Sequence, residues 1–95
     1  YDTAIKLNSK HSRAYNNRGN VWYQKGILRK ALTNYNRAVT LDPAYSGAYS
    51  NRGNVWYEMG EINKALADYD RAIELDPKNR EASKNRAEIL RRLKR

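Results

Sequence analysis

With 95 residues, no cysteine and a formal net charge of +9, the chain has room for one small domain and none for disulfides or thiolate metal sites. Nothing in it resembles a signal peptide, and no apolar run nears the roughly 20 residues of a membrane span. The charge is uneven: residues 1–34 carry seven Lys/Arg against one acid, residues 35–68 three against four, and residues 69–95 nine against five. Basic ends around a neutral middle suit acidic partners or nucleic acid, but a solvated tail at Arg91, Arg92, Lys94 and Arg95 explains the same excess and outweighs them.

The chain opens on Tyr1 in mid-pattern and reads as a piece of a longer protein. Residues 12–45 and 46–79 agree at 20 of 34 positions without a gap, including Ala14-Tyr15 and Asn17–Tyr23, which return as Ala48-Tyr49 and Asn51–Tyr57. A fixed period of this length marks an architecture in which each unit buries its apolar face against its neighbours. The single domain 1–95 therefore divides into 1–11, 12–45, 46–79 and 80–95. Ser12 and Ser46 stand where N-caps are expected. Gly26 and Gly60 close the first helix of each unit, and Asp42-Pro43 and Asp76-Pro77 close the second. Helices are predicted near 13–25, 28–41, 47–59, 62–75 and 81–93. In the second helices, Ala31, Leu32, Tyr35, Ala38 and Val39 recur as Ala65, Leu66, Tyr69, Ala72 and Ile73, a buried helical stripe. In the first helices the stripe is Tyr15, Gly19 and Trp22, then Tyr49, Gly53 and Trp56. A glycine inside a helix costs about 1 kcal/mol against alanine, so its recurrence predicts a close helix approach.

These positions resemble the tetratricopeptide repeat (TPR) family. Tyr15, Gly19, Ala31, Tyr35, Ala38 and Pro43 fall at its signature spacings, and so do Tyr49, Gly53, Ala65, Tyr69, Ala72 and Pro77. Trp22 and Trp56 replace the usual tyrosine. Tyr1, Ala4, Ile5 and Leu7 match the end of a preceding repeat, although Asn8-Ser9 stands where Asp-Pro would be, and 80–95 matches a closing helix with Ile89, Leu90 and Leu93 on one face. The resemblance implies an all-α, right-handed solenoid of stacked antiparallel helix hairpins, whose first helices line a concave groove. It comprises two full repeats with a leading half-repeat and a closing helix.

On the groove side, helix geometry places Arg13, Asn16, Asn17, Asn20 and Tyr23, then Ser50, Asn51, Asn54, Tyr57 and Glu58, then Glu81, Lys84, Asn85, Glu88 and Arg91. The expected peptide-binding residues are Asn16, Asn17, Asn20, Tyr23, Ser50, Asn51, Asn54, Tyr57, Lys84 and Asn85. An asparagine amide both donates and accepts, so a ladder of them can pair with an extended peptide backbone whatever its sequence. Some of these amides, on the alternative reading, bond between helices. In the family's chaperone adaptors, a clamp of two asparagines and several cations holds a peptide carboxylate. Asn20 and Asn51 match the clamp's asparagines, but Asn16, Glu81 and Asn85 stand where its cations would be, which argues against a chaperone tail. Arg18, Arg52 and Arg86 recur on the flank and read as packed stems paired with nearby acids rather than as an anion ladder.

Nothing points to catalysis, a metal or a cofactor: His11, the only histidine, is expected in a polar connector, and Gly19 and Gly53 lie inside helices rather than in a phosphate loop. The chain therefore reads as a non-catalytic module for a protein or peptide partner, mildly favouring acidic or polar segments, with no membrane role. A basic nucleic-acid-associated protein is the alternative, with weak binding expected because the groove charges cancel. Self-assembly is the other, through a dimer joined at residues 1–11.

Overall fold

Proline and glycine cut this chain into hairpins. The computed structural model describes residues 2–94, with side chains from Lys10 to Lys94. Five helices follow one another: α1 (Asp2–Gln24), α2 (Leu28–Leu41), α3 (Ser46–Glu58), α4 (Ile62–Leu75) and α5 (Arg80–Leu93). α1 pairs with α2 and α3 with α4, and the second hairpin stacks on the first through α2 and α3, with α5 closing over α4. This is an all-α helical-repeat solenoid.

Gly26 and Gly60 take φ of 78° and 84°, a left-handed conformation that costs glycine no Cβ clash. The N–H of Ile27 donates to Trp22 O and that of Glu61 to Trp56 O, the paired turn that ends a helix on a glycine. At the other ends, Asp42 and Asp76 accept from the N–H of Ala44 and Lys78 at 3.1 Å, and the following prolines cannot continue a helix. Residues 8–9 are Asn-Ser instead. Without that proline, α1 runs unbroken from Asp2 to Gln24, so the connector expected around His11 is helical and His11 is an exposed helix residue. The side chains of Tyr1, Ala4, Ile5 and Leu7 lie outside the described residues.

Ser12 and Ser46 are not caps. Ser12 lies inside α1 and Ser46 starts α3, and each hydroxyl donates 2.8 Å across its hairpin, to the carbonyls of Ala38 and Ala72. Gly19 and Gly53 let the second helix approach as expected. A Cβ on Gly19 would stand 2.6 Å from Tyr35 Cε1, and one on Gly53 2.8 Å from Tyr69 Cε1. Both rings are buried and hydrogen-bonded at their far end, so neither can withdraw freely. Gly53→Ala should therefore lower stability by about 1–2 kcal/mol, because overpacking costs about 1–3 kcal/mol and outweighs the gain of about 1 kcal/mol in helix propensity. Urea denaturation followed by circular dichroism measures this, and a rise in the midpoint would contradict it.

Stacking between hairpins buries residues that periodicity within one helix does not single out. Val55 is fully buried against Ala31 and Tyr35, whereas Val21, one period earlier, is 49% exposed. Ala48 is likewise buried and Ala14 exposed. At the far end Ile89 is buried and Leu90 half-buried, but Leu93 is 60% exposed, so the apolar face of α5 ends a turn earlier than expected.

Candidate functional site

The first helices of the hairpins, α1 and α3, together with α5, bring four of the expected residues, Tyr23, Asn54, Tyr57 and Asn85, to one cleft of about 260 Å³. Glu58, Tyr69, Glu88, Ile89 and Arg92 complete its wall. Glu58 and Glu88 were legible as groove-facing by helix geometry. Arg92 was not: its Nη1 reaches across to donate to the Tyr57 hydroxyl at 2.7 Å and its Nε donates to Glu88 at 3.3 Å.

The asparagines are joined to one another and to the core. Asn51 Nδ2 donates to Asn16 Oδ1 at 3.0 Å, and Asn85 Nδ2 to Asn54 Oδ1 at 3.0 Å. Asn20 Oδ1 accepts from the Tyr35 hydroxyl and Asn54 Oδ1 from that of Tyr69. Asn54 Nδ2 donates to Glu81 Oε1 at 3.2 Å. Bonding between helices thus engages one atom of Asn20, Asn51 and Asn85 and both polar atoms of Asn54. Among the described residues, Asn20 and Asn51 keep an amide donor and an amide acceptor, respectively, without a partner. The tyrosine partners could have been found in the sequence, since Asn20–Tyr35 and Asn54–Tyr69 repeat the same 15-residue separation.

Other expected residues stand elsewhere. Asn16 and Ser50 occupy the same position of the period and both are buried, and Asn16 lies against α3, where Asn51 donates to it. Among the described residues, the Ser50 hydroxyl has no hydrogen-bond partner. Asn17 is exposed and lines a separate hollow with Lys10, Arg13 and Ala14, and Lys84 is exposed outside the cleft. Two of the three flanking arginines pair with acids. Arg52 makes a two-pronged bond to Asp68 at 2.8 and 2.7 Å, and Arg86 bonds Asp70. Arg18 instead stands over the Tyr15 ring, 5.3 Å from its centre.

Electrostatics in the cleft follow from this geometry. Hydrogen bonding from Arg91, more than any other contact, holds the Glu88 carboxyl below its ordinary range, with Arg92 adding to it. Burial pushes the Tyr23 phenol upward, and Glu58 and Glu81 push it further. Burial raises Tyr35 and Tyr69 well above the ordinary phenol value of 10.0. A folded-state value above the unfolded one means that this contribution to stability is complete below the unfolded value and is lost as pH climbs past it. Stability should therefore be insensitive to these groups at neutral pH and fall from about pH 10 upward. Urea midpoints between about pH 8 and about pH 11 test this, and Tyr35→Phe with Tyr69→Phe should flatten the fall.

A family model described as "Tetratricopeptide repeat" matches residues 46–79, and one described as "TPR repeat" matches residues 19–60. No curated protein matches the chain. Among solved structures, the first TPR of Spaghetti (RPAP3) bound to HSP90 peptide SRMEEVD is 29% identical, covering 100% of this chain and 81% of that one, with a TM-score of 0.83. The Arabidopsis OM64 TPR domain is 28% identical over 90% of this chain and 71% of that one, with a TM-score of 0.86.

Proposed function

We propose that this chain, a tetratricopeptide-repeat protein across residues 19–79, is a non-catalytic scaffold or adaptor module that holds an extended peptide segment of a protein partner. The observation that carries this reading is the cleft itself. Tyr23 and Tyr57 recur one period apart on its wall, and aromatic side chains of this kind offer a large contact area with a polar tip. Asn20 and Asn51 add a donor and an acceptor for a passing peptide backbone.

Two features argue against nucleic acid as the main partner. The tryptophans are half-buried, and Lys30 and Lys64 sit over them at 4.4 and 4.6 Å, so their faces are already covered. The cleft wall carries Glu58 and Glu88 against a single arginine, so the excess positive charge lies on other surfaces. Any preference for acidic segments then belongs to those surfaces. The exposed Val21 favours a second contact, association of copies or of a further repeat at the open face of α1, which light scattering across concentration tests.

The peptide reading is tested by nuclear magnetic resonance titration of the labelled chain with a panel of extended peptides and, separately, with single-stranded RNA at physiological salt. Peptides should shift Tyr23, Asn54, Tyr57 and Asn85, and RNA should bind weakly and without sequence preference. No binder in the panel, or tighter sequence-dependent RNA binding, would sink the reading.

A further inference from the structure

We propose that the cleft between Tyr23 and Tyr57 is a subsite for a lysine or arginine side chain of the bound peptide, with Glu58 and Glu81 as its counter-charges. This rests on the peptide-binding reading and names the chemistry the partner brings.

The charges of the cleft are not equivalent. Glu88 is bonded by both Arg91 and Arg92, and Arg92 also bonds the Tyr57 hydroxyl. Arg92, the arginine of the cleft wall, is thus already partnered by a carboxylate, and Glu88 is shared by two guanidinium groups. Glu58, on the wall beside the two tyrosines, makes no ion pair among the described residues. Glu81 receives only a neutral amide, Asn54 Nδ2 at 3.2 Å, a bond that keeps its carboxylate beside a cleft residue. Both carboxylates also push the Tyr23 phenol upward. Glu58 and Glu81 are thus carboxylates near the tyrosines with no ion-pair partner among the described residues, inside a chain whose net charge is +9.

Aromatic walls with nearby carboxylates favour a cation. A lysine or arginine stem packs on a tyrosine ring, the charge gains from the ring face, and a neighbouring carboxylate completes the pair. Arg92 gives an internal precedent, since its guanidinium already lies between a tyrosine hydroxyl and a glutamate of this cleft. An acidic segment meets the opposite arrangement, because it would bring like charge to Glu58 and Glu81 and find no unpaired cation on the wall.

The test uses the whole chain, isotope-labelled, and a set of otherwise identical blocked peptides with a central Lys, Arg, Gln or Glu. The Lys and Arg peptides should bind at least about threefold more tightly than the Gln peptide, with shifts centred on Tyr23, Tyr57 and Glu58. The Glu peptide should be weakest. Glu58→Gln combined with Glu81→Gln should bring the Lys and Gln peptides to equal affinity while leaving the circular-dichroism spectrum unchanged. Equal binding across the set, with shifts still in the cleft, overturns the cation subsite and leaves peptide binding standing. Tightest binding by the Glu peptide also overturns it. Failure of every peptide to shift the cleft overturns both readings.

Discussion

Asp68→Ala should be the most damaging single change of polarity in the chain, lowering stability by about 2–4 kcal/mol. Asp68 is only 5% exposed and takes two bonds from Arg52 at 2.8 and 2.7 Å. Removing one partner of a buried pair leaves the other charge uncompensated, at a typical cost of about 3–5 kcal/mol. The lower figure is expected here because the Arg52 side chain is 21% exposed and keeps both its bond to Asn36 and its place over the Tyr49 ring. For a domain of this size the loss corresponds to a fall in melting temperature of roughly 10–25 °C.

The first hairpin supplies a control within the same molecule. Asn34 occupies the position that Asp68 holds one period later, and its amide turns to its own helix, donating to the Lys30 carbonyl at 2.9 Å. Arg18 is correspondingly left over the Tyr15 ring. Arg18→Met should therefore change stability by less than about 0.5 kcal/mol. Replacing both members of the second pair, as Arg52→Met with Asp68→Leu, should recover most of what Asp68→Ala loses. Thermal unfolding of the three variants measures the set. A loss below about 0.5 kcal/mol for Asp68→Ala would show that the pair has no structural weight.

This contrast also explains which parts of the molecule could be read without coordinates. The four helices of the two hairpins, and the turns at Gly26, Gly60, Pro43 and Pro77, depend on local rules, namely backbone freedom, a missing N–H and a 3.6-residue stripe. Those rules act within a few residues and are visible in a string. The same logic misplaced the first helix boundary, because the spacing of Leu7 to Ser12 matches that of Leu41 to Ser46, while the proline that breaks the helix is missing. Ser12 and Ser46 precede helical stripes as caps do, and only the partner helix reveals that their hydroxyls point to Ala38 and Ala72. Burial of Val55 depends on the neighbouring hairpin, so its identical counterpart Val21 differs from it in environment alone. On the groove face, periodicity found the asparagines, but it could not tell an amide aimed at a ligand from one aimed at Tyr35 or Tyr69.

Asn54→Ala should cost about 2–3 kcal/mol, which makes it a structural variant as much as a binding one. Its carbonyl oxygen accepts from the Tyr69 hydroxyl and from Asn85, and its amide donates to Glu81. Tyr69 is 1% exposed, so its hydroxyl has little access to water once that acceptor is gone. A buried donor left unsatisfied costs about 1–3 kcal/mol, whereas removing both partners is close to neutral. Asn54→Ala in a Tyr69→Phe background should accordingly lose much less, and the coupling between the two positions should exceed about 1 kcal/mol. Asn20→Ala, with a single partner in Tyr35, should lose less than Asn54→Ala. It follows that weakened peptide binding by Asn54→Ala would not by itself place that amide on a ligand. Comparison with Asn51→Ala separates the two roles, because Asn51 keeps an unpaired acceptor and its one bond is to another amide, Asn16. If Asn54→Ala unfolds at the same urea concentration as the unaltered chain, the tyrosine bond carries no stability and Asn54 belongs to the groove alone.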